Sequence, residues 1–132
     1  MSRTELREHI FKMLFRIEFN SEEEMKEQED FYFEDLEKVS EKEQEYILDK
    51  YRLISEKKEE IDALLNEIAE GWKTSRMNRV DLTILRLATY EINWDEEVPT
   101  GVAINEAVEL AKKYSSDEGP SFVNGILAKV AN

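Results

Sequence analysis

The chain has 132 residues, of which 41% are hydrophobic and 37% charged, and a net charge of −13 at pH 7. This length suits a single domain spanning residues 1–132. The absence of cysteine excludes disulfides, thiolate metal sites and cysteine nucleophiles. With no secretory signal and no run of ~18 apolar residues, the sequence predicts a cytoplasmic protein that makes no contact with a membrane. Only four glycines and two prolines are available for turns, which favours an all-α fold.

The charges are unevenly distributed along the chain. Residues 18–45 hold thirteen acidic and three basic side chains, whereas residues 71–132 hold nine acidic and seven basic ones. The overall negative charge argues against non-specific binding to nucleic acids, because lysine and arginine supply the phosphate contacts. The more balanced second half leaves room for a local face that binds RNA.

Residues 2–19 are predicted to form a helix with a broad apolar arc. Two adjacent rows make up this arc, the first Leu6, Ile10, Met13, Leu14 and Ile17, the second Arg3, Arg7, Phe11, Phe15 and Phe19. Such an arc fits a helix that packs on both sides, or one that packs on one side and binds a partner or a second copy of the chain on the other. We interpret His9 as exposed surface and residues 20–30 as an acidic loop.

Apolar spacing predicts six further helices. They are short helices near 31–38 and 43–54, helices over 56–70, 79–92 and 102–114, and a last helix that begins near Pro120. Gly71 stands where a left-handed C-terminal cap belongs. Apolar residues nearly all round 79–92 indicate a central, buried helix. The predicted architecture is a compact seven-helix bundle with two helical subdomains, residues 1–70 and 71–132.

The sequence lacks the usual patterns of an active site. It has no glycine-rich phosphate loop, no paired histidines of a zinc protease and no serine in a nucleophile elbow. Its many carboxylates have neither a histidine partner nor an apolar pocket that would raise a pKa. We therefore predict a non-catalytic protein with no catalytic residues, no metal and no cofactor.

The second row of the first helix has the composition of a nucleic-acid contact. The arginines Arg3 and Arg7 offer guanidinium groups to phosphates, and Phe11 and Phe15 offer aromatic faces to unpaired bases. The same spacing arises if the phenylalanines are core and the arginines flank them. Spacing alone leaves both interpretations open.

The last two helices contain further unusual positions. Asn105 and Glu106 interrupt an apolar helix near its start, where we expect their polar groups to satisfy nearby backbone ends within the bundle. Gly125 in a helix interior costs about 1 kcal/mol relative to alanine, which predicts close approach of a packed helix or a ligand. Phe122 follows an exposed loop and is less easily explained as core.

Motifs across the second half of the chain resemble the NusB family of transcription antitermination factors. They are Trp72, Arg76, Ile84–Ala88, Tyr90–Glu91, Val98–Pro99, Val102–Lys112 and Phe122–Leu127. The first helix is similar to the family's first helix more loosely, through Arg7–Glu8 and Leu14–Phe15.

The resemblance implies a seven-helix adaptor without catalytic activity. Proteins of this family pair with the small-subunit ribosomal protein NusE, bind boxA-type single-stranded RNA of nascent, chiefly ribosomal, transcripts, and act on the elongating RNA polymerase. The resemblance places the family's RNA contacts on Arg3, Arg7 and Phe15 of the first helix, on the loop 115–121, which includes Ser121, and on Phe122. Lys112 and Lys113 are two further cations that would join the arginines into one positive track. The candidate RNA-binding residues are therefore Arg3, Arg7, Phe15, Lys112, Lys113, Ser121 and Phe122.

This chain has fewer cations than the family pattern. Only Arg3 and Arg7 stand where three or more basic residues are often clustered, Gly101 and Ser121 stand where lysine is common, and Ala128 replaces a frequent aspartate. We therefore expect weak, salt-dependent RNA affinity in isolation and a basic partner that supplies the missing charge. The alternative is a protein–protein scaffold of the elongation complex with little RNA affinity of its own.

Overall fold

A computed structural model describes residues 1–34, 36 and 38–132 of the chain. Its elements are α1 (Arg3–Arg16), α2 (Glu22–Glu34), α3 (Glu41–Glu56), α4 (Lys58–Ile68), a short 3-10 helix (Thr74–Arg76), α5 (Arg79–Trp94), α6 (Thr100–Tyr114) and α7 (Gly119–Val130). These described residues contain seven α-helices and no strand, so the predicted all-α, seven-helix fold is confirmed. Within the same residues, every helix is too short or too polar to cross a membrane.

Residue contacts divide the chain into two compact units, Met1–Ser55 and Glu56–Asn132. The boundary lies before α4, whereas the predicted subdomains 1–70 and 71–132 divide the chain after it. The reason is that α4 packs on α5 and α7, in the second unit. A single domain over residues 1–132 stays a prediction.

The three helices of the first unit begin in the same way, with a serine followed three residues later by a glutamate. Each serine hydroxyl accepts a hydrogen bond from the glutamate N–H, and each glutamate carboxylate accepts one from the serine N–H; the pairs are Ser2 and Glu5, Ser21 and Glu24, and Ser40 and Glu43. Such a capping box satisfies two backbone donors that a helix start leaves without a partner.

The prediction of an acidic loop over residues 20–30 is wrong, because one of these boxes starts α2 there. The acidic residues of the first turn, Glu22, Glu23 and Glu24, also face the positive end of the helix dipole. The Ser21 N–H that bonds to Glu24 holds the pKa of that carboxyl below its ordinary value. The predicted short helix near 31–38 overlaps the end of α2, and its residues Asp35 and Glu37 lie outside the described part of the chain.

In the first unit, α1 packs against α2. His9 Nδ1 and the Tyr32 hydroxyl form a hydrogen bond of 2.6 Å between the two helices, and the Arg16 guanidinium lies 4.7 Å from the Tyr32 ring centroid. The prediction that His9 is exposed is therefore wrong, since Tyr32 of α2 covers its ring and leaves it half-buried. Burial, with the nearby Lys12 ammonium, lowers the pKa of His9.

In the second unit, α5 is the central helix. Every residue from Asp81 to Glu91 is buried, and α5 packs on α4, α6 and α7, which confirms the predicted central, buried helix. Arg86 is only 4% exposed, yet its Nε and Nη2 each lie 2.8 Å from a carboxylate oxygen of Asp62 on α4. A buried guanidinium is retained at low cost only when a carboxylate matches its fork in this way.

Candidate nucleic-acid interface

The two arginines at the start of α1 lie in different environments. Arg3 is exposed in the first turn, whereas Arg7, one helical turn later, is 7% exposed. Residues four apart share a helix face, but on this face the side chain at position 3 is at the surface and the side chain at position 7 is buried. Of the two predicted phosphate contacts on α1, only Arg3 presents its charge to solvent.

The phenylalanines that continue this row pass from core to surface. Phe11 is buried, Phe15 is half-buried and Phe19 is 63% exposed. The Phe15 ring centroid lies 6.3 Å from that of Phe11 and 5.1 Å from that of Phe19, the latter in an edge-to-face arrangement. Both interpretations of the row therefore apply, with core at Phe11 and an accessible aromatic edge from Phe15 onward.

A groove between α6 and α7 brings two other predicted residues together. It has a volume of about 360 Å³ and is lined by Lys112, Ser121, Asn105, Glu109, Asn124 and their apolar neighbours. Lys112 Nζ lies 3.2 Å from the Glu109 carboxylate, so its charge is partly compensated. Lys113 does not line the groove and lies 5.5 Å from the ring centroid of Tyr114.

Phe122 faces a tryptophan that sequence reasoning did not place in the site. The Phe122 and Trp72 ring centroids are 5.6 Å apart at an interplanar angle of 69°, an edge-to-face pair. Phe122 is half-buried and Trp72 is 54% exposed, so much of the indole remains open to solvent. The only sequence signal for this role is a tryptophan in a run, residues 71–80, with three basic and no acidic side chains.

Trp72 lies in the connector, residues 71–78, which joins α4 to α5. Gly71 opens it in the left-handed conformation (φ 78), just after α4, where a helix cap was predicted. The side chain of Asn66 on α4 accepts a hydrogen bond of 2.7 Å from the Thr74 N–H, and Asn78 caps α5 by accepting one of 2.8 Å from the Asp81 N–H. The connector is thus held in its middle, at Thr74, and near its end by the buried Met77 and by Asn78.

The loop that leads into α7 is anchored on the start of α5. The Ser115 hydroxyl donates a 2.6 Å hydrogen bond to the buried carboxylate of Asp81, whose other oxygen accepts one from Asn78 Nδ2 at 2.8 Å. A Cβ at Gly119 would lie 2.1 Å from the Ser115 hydroxyl oxygen, so only glycine fits beside this bond. The loop before Phe122 is therefore set by packing.

The prediction of a close approach at Gly125 is wrong. Gly125 is exposed, and a Cβ built there meets nothing within 4 Å. The glycine that does meet a close neighbour is Gly119, at the first position of α7, where the sequence pattern does not distinguish it.

Comparison with known proteins identifies the family of this chain. The sequence pattern of the NusB family matches residues 4–132. This chain belongs to the NusB family. The transcription antitermination protein NusB of Lachnoclostridium phytofermentans is 56% identical to it over 130 residues, which cover 98% of each chain.

Solved structures of NusB proteins share the fold. T. maritima NusB has a TM-score of 0.86 and 36% identity, over 99% of this chain and 91% of that chain. A chain in the crystal structure of the antitermination factors NusB and NusE in complex with double-stranded RNA has a TM-score of 0.82 at 23% identity, over 98% of this chain and 95% of that one, a likeness of fold.

Family membership confirms two of the predictions from sequence. The resemblance to NusB is confirmed, and so is the prediction that the protein is a non-enzymatic antitermination factor. Among the described residues, no three side chains of the metal-ligating types are grouped so that they could hold a metal ion. The individual RNA-binding residues stay predictions.

Proposed function

We propose that this protein is a cytoplasmic RNA-binding adaptor that, together with NusE, binds boxA-type single-stranded RNA of nascent ribosomal transcripts. One of the crystal structures with the same fold contains NusB together with NusE and double-stranded RNA. This complex supports RNA and a NusE-like protein as partners of the present chain. The RNA polymerase elongation complex is the proposed target of the assembly.

The position of Phe122 carries this proposal. The Ser115–Asp81 hydrogen bond holds the preceding loop on α5, and the ring follows at the start of α7 while remaining only half-buried. A ring that is already held loses little conformational freedom on binding, so it makes a good platform for an unpaired base. Bases of a duplex are stacked on one another, which favours single-stranded RNA.

The charge of the protein favours a joint site with a basic partner. The net charge is −13, Arg7 is buried and Lys112 is paired with Glu109, so few of the predicted cations are available to phosphates. A basic ribosomal protein would be attracted to this acidic chain and would add cations beside the RNA. We therefore expect tight RNA binding only in the complex.

Titration of labelled single-stranded boxA RNA into this protein, with and without NusE, tests the proposal. We expect weak binding by the protein alone and much tighter binding by the pair, with affinity falling steeply as salt rises. Equal, weak binding in both titrations would refute it.

Phe122→Ala refines the same experiment. The variant is expected to weaken RNA binding by the pair roughly ten- to hundred-fold, the usual loss for one stacked base. Its melting temperature should stay close to that of the unaltered protein. A large fall in melting temperature would show instead that Phe122 belongs to the core.

The second candidate function is a protein–protein scaffold with little RNA affinity, and the burial of Arg7 favours it. In that case the complex with NusE forms normally while RNA affinity stays at the non-specific level.

The exposed residues that follow α1, near Phe19, could also pair two copies of the chain, and we propose this as a separate point. Sedimentation of the isolated protein tests it.

A further inference from the structure

Trp72 is unusually exposed for a residue of its size. It is 54% exposed although its ring packs edge-to-face on Phe122. Single exposed apolar residues are ordinary on protein surfaces. Here the exposed indole lies beside the half-buried ring of Phe122, and the two rings together form a small aromatic surface. Nothing in the local backbone requires a tryptophan there, since the connector is held through Asn66 and Asn78.

The same segment is the most basic stretch in the second half of the chain. Lys73, Arg76 and Arg79 are exposed, and residues 71–80 contain no acidic side chain, in a protein with 31 acidic and 18 basic residues. The 3-10 helix Thr74–Arg76 and its bond to Asn66 restrict the backbone between the first two cations. Their spacing is therefore set before any ligand arrives, which lowers the cost of ordering them.

We propose that Trp72, Lys73 and Arg76 form a second half of the RNA site, next to Phe122. An unpaired base stacks on the open face of Trp72, and the neighbouring phosphates bind Lys73 and Arg76. Aromatic faces beside cations are the combination that binds single-stranded nucleic acids. The inference rests on the proposed function and adds residues to it.

The charge of the connector decides between RNA and a protein as its partner. A basic ribosomal protein would be repelled by Lys73, Arg76 and Arg79, whereas the phosphates of RNA would be attracted. RNA is accordingly the expected occupant.

A fluorine label on tryptophan tests the stacking directly. The chain has two tryptophans, so 5-fluorotryptophan labelling of this protein alone produces two ¹⁹F signals, and Trp94→Phe assigns them. In the complex with unlabelled NusE, single-stranded boxA RNA should shift the Trp72 signal and leave the Trp94 signal in place. A Trp72 signal that NusE alone shifts and RNA does not would overturn the inference in favour of a protein contact.

Salt dependence tests the two cations. For single strands, each phosphate contact contributes about 0.7 to the slope of log affinity against log salt. Lys73→Gln and Arg76→Gln should each lower that slope by about this amount, while Lys129→Gln, the same charge change at an exposed position near the end of α7, should leave it unchanged. Equal slopes for all three variants and the unaltered protein would contradict the inference.

Trp72→Ala separates the inference from the proposed function. We expect it to weaken RNA binding by the complex roughly ten-fold or more, with an unchanged melting temperature because the ring is largely exposed. If Phe122→Ala weakens binding but Trp72→Ala does not, the inference fails and the proposed function stands. If the unaltered complex binds RNA only non-specifically, the proposed function itself fails.

Discussion

The start of α1 and the connector beside Phe122 both combine cations with aromatic rings, yet they present them differently. On α1, Arg7 is 7% exposed and Phe11 is buried, so part of the row belongs to the core. In the connector, Lys73 and Arg76 are exposed and Trp72 is largely open. A long helix must bury a face, which removes some of its side chains from any binding surface. The connector buries Met77 and leaves its cations and its indole at the surface.

The ion pair that joins the two helices flanking the connector should have the largest effect on stability. Asp62→Ala leaves the buried Arg86 guanidinium without its main carboxylate, and we expect the free energy of unfolding to fall by about 3 kcal/mol in urea titrations. Glu29→Ala breaks the pair with Arg52 in the first unit, whose guanidinium side chain is 52% exposed, and should cost less than about 1 kcal/mol. Similar losses would mean that burial does not distinguish the two pairs.

The two glycines of α7 should respond in opposite directions. Gly119→Ala must displace Ser115 and break its bond to Asp81, so we expect a loss of about 1–3 kcal/mol. Gly125→Ala meets nothing within 4 Å and should gain about 0.5–1 kcal/mol from better helix propensity. Thermal melts of both variants check this. A destabilising Gly125→Ala would place an unrecognised neighbour at that position.

In the first unit, the capping box of α2 should have a moderate effect. Ser21→Ala removes the hydroxyl that accepts from the Glu24 N–H and should cost about 1 kcal/mol. Glu24→Gln keeps both hydrogen bonds of the box and is the matched control. If Glu24→Gln lowers the melting temperature as much as Ser21→Ala does, the charge of Glu24 matters as much as the hydroxyl of the box.

The smallest expected effect concerns His9. Its folded-state pKa lies below the ordinary 6.5, so the stability contributed by the neutral ring is present above about pH 6.5 and is lost as the pH falls from there toward the lowered pKa. Between about pH 7.5 and about pH 5.5, the unaltered protein should therefore lose more melting temperature than His9→Gln, which does not titrate. Equal losses would exclude His9 as a source of this pH dependence.

Local sequence patterns indicate where a helix starts and which face is apolar, because both depend on residues a few positions apart. The box at Ser21 and Glu24 has the Ser-x-x-Glu signature, although the run of glutamates that contains it is also typical of a solvated loop. His9 shows the opposite situation. Its own helix leaves it outside the apolar face, and the ring that covers it comes from Tyr32 on another helix.

The helical periods and the family are readable in the sequence because both depend on residues close together along the chain. The exposure of the candidate residues cannot be read from the sequence in this way. The burial of Arg7, the meeting of Trp72 with Phe122 and the tight fit at Gly119 depend on how helices pack. Trp72 and Phe122 are far apart in sequence, and so are Ser115, which crowds Gly119, and its partner Asp81. No period of 3.6 residues encodes these contacts. The proposed RNA surface beside Phe122 is therefore a product of helix packing.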